Sequence, residues 1–90
     1  MQSIIHEGNE CFICHRRDCL EWHHIFGAYN RNHSEEDGLK VRLCHYCHNE
    51  KGGVHYDKNL MQAMHELGQK KYEETHTRKE FMERYGKNYL

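Results

Sequence analysis

The chain has no proline, and its apolar runs fall far short of a membrane span. The first absence leaves its turns to Gly, Asn and Asp; the second excludes a spanning helix. Its start, Met1-Gln2-Ser3-Ile4-Ile5-His6-Glu7, turns polar at once and lacks the apolar centre of a secretory signal. Apolar side chains are scarce, at 37 % of 90 residues with a mean hydropathy of −1.11. That is enough for one small domain with a thin core, and such domains need a staple. A surplus of positive charge is missing too. The formal net charge is −1, which excludes a grip on a polyanion by bulk charge alone. Residues 1–38 carry three basic and seven acidic side chains, whereas residues 39–90 carry ten basic and seven acidic, a weak basic bias. There is no internal repeat, linker or low-complexity segment.

What the chain has in excess is cysteine and histidine. Four of its five cysteines form two C-x-x-C pairs, Cys11-Phe12-Ile13-Cys14 and Cys44-His45-Tyr46-Cys47. Each pair puts two thiolates within reach of one tetrahedral ion, and zinc favours four sulfurs in a closed site. The odd count and the paired spacing fit a reduced, cytoplasmic chain holding structural Zn2+ on Cys11, Cys14, Cys44 and Cys47. Strand, loop and strand can fill the 29 residues between Cys14 and Cys44. Cys19 stands outside the pairs and reads as a packed thiol. The ten histidines run from His6 to His76 and do not form a tag.

Leu20 to His24 reads as a short strand and residues 26–38 as a polar loop. Leu39-Lys40-Val41-Arg42-Leu43 alternates strictly, as a half-buried strand does. His48 to Lys51 is expected in a short helix stopped by Gly52-Gly53. From Asp57, which can cap, the spacing predicts a helix with Leu60, Met64, Leu67 and Lys71 on one face and Met61, His65 and Tyr72 flanking it. Thr77-Arg78-Lys79-Glu80 matches a capping box for a last helix ending at Gly86.

His23-His24 sits between the two cysteine pairs. Neighbours in a regular strand face opposite sides, so both reach one site only if the strand ends or bulges there. One imidazole can then hold a metal while the other faces substrate.

The order Cys-x-x-Cys, apolar residue, His23-His24-Ile25, then Leu39-x-Val41-x-Leu43-Cys44-x-x-Cys47-His48 resembles the zinc-containing HNH endonucleases of the ββα-metal superfamily. It covers residues 11 to about 55, half of the chain. Residues 56–90 resemble the helical tails of small phage and prophage HNH proteins, and the chain is more closely similar to phage-encoded recombination-associated nucleases that act on RecA-coated DNA. The resemblance implies a single α+β domain over residues 1–90: a zinc-stapled ββα-metal core at 11–55 and a helical tail at 56–90. It implies DNA as substrate, a phage or recombination protein as a further partner, no membrane, and the cytoplasm of a bacterial host. It assigns His24 as general base, His23 as a ligand of the catalytic divalent ion, and His48 as the closing ligand. That ion is Mg2+ or another such as Mn2+, Ni2+ or Zn2+. A neutral imidazole near pH 7 suits the base.

The pattern departs from the family at two places. The middle asparagine is replaced by Asp37-Gly38, and Asn30, ahead of Asn32, is the preferred source of the amide. A further ligand one helical turn after His48 would fall at Gly52, so His55 is the substitute. Arg31, Arg42 and Lys51 are candidate phosphate contacts, while Lys58 reads as a solvated charge. His45 is expected to face solvent, and His6, His15, His33, His65 and His76 to be ordinary surface or loop residues. The competing reading is a zinc-ribbon module that binds nucleic acid or protein without catalysis. A redox role is set aside, because no thioredoxin-like βαβ unit accompanies the C-x-x-C pairs.

Overall fold

Strand β1 (Leu20–His24) and strand β2 (Lys40–Cys44) pair antiparallel in the computed structural model, which describes residues 2–90. The register sets Leu20 opposite Cys44 and His24 opposite Lys40. As the alternation predicts, Leu39, Val41 and Leu43 are fully buried on one face. The other face is covered as well: Lys40 Nζ and the Arg42 guanidinium lie 4.6 and 4.3 Å from the centre of the Trp22 ring. The cations thereby shield an exposed indole through cation–π attraction.

Residues 26–38 are not the expected loop. They hold a 3-10 turn, Ala28–Asn30, and helix α1, Arg31–Glu36. Ser34 is the reason. Fully buried, its hydroxyl donates to the Leu39 carbonyl and accepts the Phe26 N–H at 3.3 Å. Both ends of the connection are thus fastened to one side chain, and polar backbone that would otherwise be orphaned is satisfied. The short helix after β2 also differs: α2 spans His45–His48, so it starts directly after Cys44 and contains Cys47, and His48 ends rather than begins it. Gly53 then folds back on this turn, where an added Cβ would lie 2.7 Å from the Cys47 carbonyl oxygen. That close approach brings the following 3-10 turn, Val54–Tyr56, against α2.

Helices α3 (Lys58–Tyr72) and α4 (Arg78–Tyr85) form the tail. Asp57 caps α3 by accepting from the Asn59 and Leu60 amides, and Thr77 with Glu80 closes a capping box on α4. Gly86, at φ +82, ends α4 in the left-handed conformation. The buried stripe of α3 runs through Met64, Gly68, Gln69 and Tyr72, displaced from the expected Leu60–Met64–Leu67–Lys71 face. Gly68 sets the displacement, because a Cβ there would stand 2.5 Å from Ile25 Cγ2. With hydrogen in that place, α3 sits directly on Ile25 and Phe26. Phe26 then meets Tyr85 at 4.7 Å and Phe81 at 5.3 Å between ring centres, so the tail and the hairpin share one aromatic core. Asp37 accepts from the Tyr85 hydroxyl (2.5 Å) and Arg84 Nε (2.6 Å). Its carboxylate anchors the tail. Among the described residues, no helix is long and apolar enough to cross a membrane.

Candidate metal centres

Cys11 and Cys14 come from the turn before β1; Cys44 and Cys47 come from the end of β2 and from α2. Their sulfurs all lie within 4.8 Å of one another, and Cys14 Sγ is 3.6 Å from Cys44 Sγ. Zn–S bonds of about 2.3 Å in a tetrahedron separate sulfurs by about 3.8 Å. The cluster therefore fits one zinc ion. Burial raises the Cys11 thiol, but the N–H groups of Cys14, Cys44 and Ile13 outweigh it and bring it down to about 6. Cys47 is pushed far up by burial and by the three neighbouring sulfurs. Four thiolates this close repel one another unless a cation is shared among them.

A second group draws on the same hairpin. His23 from β1, His48 from the end of α2 and His55 from the Val54–Tyr56 turn bring ring nitrogens within 4.8 Å of one another. His23 is 3 % exposed, and its Nε2 is buried with no hydrogen-bond partner. An orphaned buried nitrogen is costly unless it has a ligand to bind. Burial, followed by His48 and His55, pushes the His23 imidazole down to about 3, so it stays neutral. Burial lowers His55 as well. His48 Nδ1 donates to Glu21 Oε1 at 2.8 Å, which fixes its tautomer and leaves the Nε2 lone pair for a metal. Three imidazoles, one of them oriented by a carboxylate, suit a divalent transition ion or zinc.

His24 takes the other face. Because β1 stays regular through its last residue, His24 and His23 diverge. His24 Nε2 lies 2.8 Å from Glu35 Oε1, and Glu35 Oε2 accepts from Lys40 Nζ at 2.6 Å. Lys40 first, then His24, holds the Glu35 carboxyl down at about 2, so it is ionised across the neutral range. His24 nonetheless lines a cavity of about 310 Å3 together with His23, His55 and Asn30.

The remaining candidates scatter. Asn30 Nδ2 donates to the Tyr85 carbonyl at 3.1 Å and so ties the turn to α4. Arg31 and Lys51 are exposed, and Arg42 is committed to the Trp22 face. Cys19 is exposed at φ +54 in the turn before β1, not packed as expected. His65 is no surface residue, since it stacks on Phe26 (5.4 Å) and meets the tilted Tyr89 ring at 4.5 Å. His45 is half exposed, with Nδ1 3.1 Å from Glu21 Oε2, and that bond raises its pKa.

Glu21 and Glu35 were missed in the sequence. Glu21 had a signal, because it lies two residues before His23 and therefore on the same face of β1. Glu35 had none, since its link to His24 depends on where α1 packs. No protein-family model, curated protein or solved structure matches the chain.

Proposed function

We propose that the chain is a metal-dependent DNA endonuclease of the HNH type. The observation that carries the reading is the cluster of His23, His48 and His55, with a buried, unpartnered Nε2 at its centre, beside a four-cysteine zinc site on one hairpin. In this reading the three imidazoles hold the catalytic divalent ion, and their nitrogen donors favour Ni2+ or Zn2+ over the Mg2+ or Mn2+ also expected from the sequence. Such an ion, when bound, supplies charge neutralisation at the scissile phosphate and at the departing 3′ oxygen.

The other steps belong to the chain's own residues. Glu35 accepts the proton on His24 Nε2 as a hydrogen bond, which leaves Nδ1 as the basic nitrogen. His24 takes the proton of the attacking water, whose oxygen bonds to phosphorus as the bond to the 3′ oxygen breaks. The imidazolium formed is stabilised by the ionised Glu35 beside it. The products carry 5′-phosphate and 3′-hydroxyl ends. Asn30 acts by fastening the loop after β1 to α4.

One observation favours a second reading, a zinc-stapled module that binds nucleic acid or protein. The regular β1 sends His24 away from His23 and into the pair with Glu35, where it also serves to fasten α1 to the sheet. Plasmid cleavage by zinc-replete protein with magnesium, manganese or nickel separates the two. The nuclease reading expects cleavage that falls by about 100-fold or more in His24→Ala, as for a lost general base. Absence of cleavage on plasmid, single-stranded and RecA-coated DNA, with wild-type zinc content, selects the binding module.

A further inference from the structure

Lys58 reads as a solvated charge in the sequence, yet the fold places it on the lip of a groove. The groove, about 460 Å3, is formed by the Val54–Tyr56 turn, the first two turns of α3 and the end of the chain. Its volume falls within the roughly 300–1,000 Å3 of small-ligand sites. His65, Met61 and Tyr89 line it, and the Tyr89 ring lies tilted against His65 at 4.5 Å. Lys58 and Lys87 bring two cations, with Lys87 Nζ 5.0 Å from the centre of the Tyr89 ring. Tyr56 adds a phenol ring that is 68 % exposed. The one acidic group among the lining residues, Asp57, is engaged as the α3 cap. The groove also runs into the cavity of His23 and His24, because His55, Met61, His65 and Tyr89 line both.

An aromatic platform flanked by cations, opening onto the histidine cluster, matches the chemistry of a nucleotide: a base face to stack and a backbone to neutralise. Stacking on this platform requires a base free of its partner. We infer that this groove is a binding site for an unpaired nucleotide next to the scissile phosphate, with Tyr56 as the stacking platform and Lys58 and Lys87 as the phosphate contacts. The inference rests on the nuclease reading for the word scissile, and on the groove alone for the ligand class. It also moves the main cationic contacts away from Arg31, Arg42 and Lys51, none of which lines the groove.

The test is fluorescence anisotropy of zinc-replete full-length protein with a labelled 12-nucleotide oligodeoxynucleotide, single-stranded or as the matching duplex, with no divalent ion added. The single strand is expected to bind more tightly than the duplex. Tyr56→Ala and Lys58→Ala/Lys87→Ala are each expected to weaken it by about tenfold. The double lysine variant also flattens the salt dependence by about 1.4 in the slope of log affinity against log salt. Lys70→Ala/Lys79→Ala, an equal charge change outside the groove, is expected to alter affinity less than twofold. Equal losses in the two double variants, or a silent Tyr56→Ala with no preference for the single strand, overturn the inference. If the binding pattern holds while wild type cleaves nothing, the groove stands and the nuclease reading falls. If wild type cleaves and the groove variants bind and cleave unchanged, the nuclease reading stands and the groove falls.

Discussion

At the scale of single residues, the carboxylates do as much as the histidines. Glu21 offers one oxygen to His48 and the other to His45, which directly follows the zinc-site residue Cys44. It therefore couples the histidine cluster to the cysteine cluster. Glu21→Ala should weaken divalent binding at the histidines by about 10–100-fold, the usual effect of losing such a partner. Titration calorimetry on zinc-replete protein reads this; an unchanged affinity would mean that His48 is held by its own helix alone. His65 carries a pH signature. Burial first, and Lys87 second, lowers its pKa, so the fold prefers the neutral ring. Below about pH 6.5 the unfolded chain takes up a proton that the folded chain resists. This contribution to stability is present above that pH and is lost on acidification. His65→Phe keeps a ring between Phe26 and Tyr89 but cannot titrate. Between pH 7.5 and pH 5.5 its melting temperature should therefore fall less than that of the wild type. Equal falls would show that the titrating groups lie elsewhere.

At the scale of elements, the fit between α3 and the hairpin decides where the histidines stand. Ile25 directly follows His24 and is pressed against Gly68. Gly68→Ala improves helix propensity by about 1 kcal/mol but inserts a methyl group where there is no room. Overpacking of about 1–3 kcal/mol should outweigh that gain, or at least cancel it. Urea unfolding is expected to show no stabilisation, and a more stable variant would contradict the close packing. The same elements show what the sequence made legible. Alternation at Leu39–Leu43 marks β2 without ambiguity, and the Thr77–Glu80 box marks the start of α4, because both signals are local. Helix α1 was hidden, since its six residues, Arg-Asn-His-Ser-Glu-Glu, show no apolar stripe. It is held by Ser34 at both ends of the connection, a partnership that appears only once the hairpin has closed. The stripe of α3 was misplaced for a related reason, because a glycine in the contact face leaves no apolar letter to read.

For the molecule as a whole, the thin core gives a metal on the four-cysteine cluster a structural role in the proposed reading. Hairpin and tail share the cluster around Phe26, and in the proposed reading an ion on Cys11, Cys14, Cys44 and Cys47 staples the end of the sheet. Removing zinc with a strong chelator should abolish the cooperative thermal transition, as it does for small domains whose metal energy is folding energy. A retained transition, with the metal shown to be gone, would contradict the staple. The cysteine spacing made this site legible. The composition of the histidine cluster was legible only through the motif order, since His55 lies beyond a glycine pair and joins the others only where Gly53 packs on Cys47.

The central claim is that one hairpin carries two metal centres, four sulfurs for structure and three imidazoles for chemistry. The most direct measurement is metal content per folded chain, by equilibrium dialysis against zinc followed by elemental analysis, for wild type beside His48→Ala. The account predicts two tightly held ions in the wild type and one in the variant, with both proteins folded. One ion in each would contradict it.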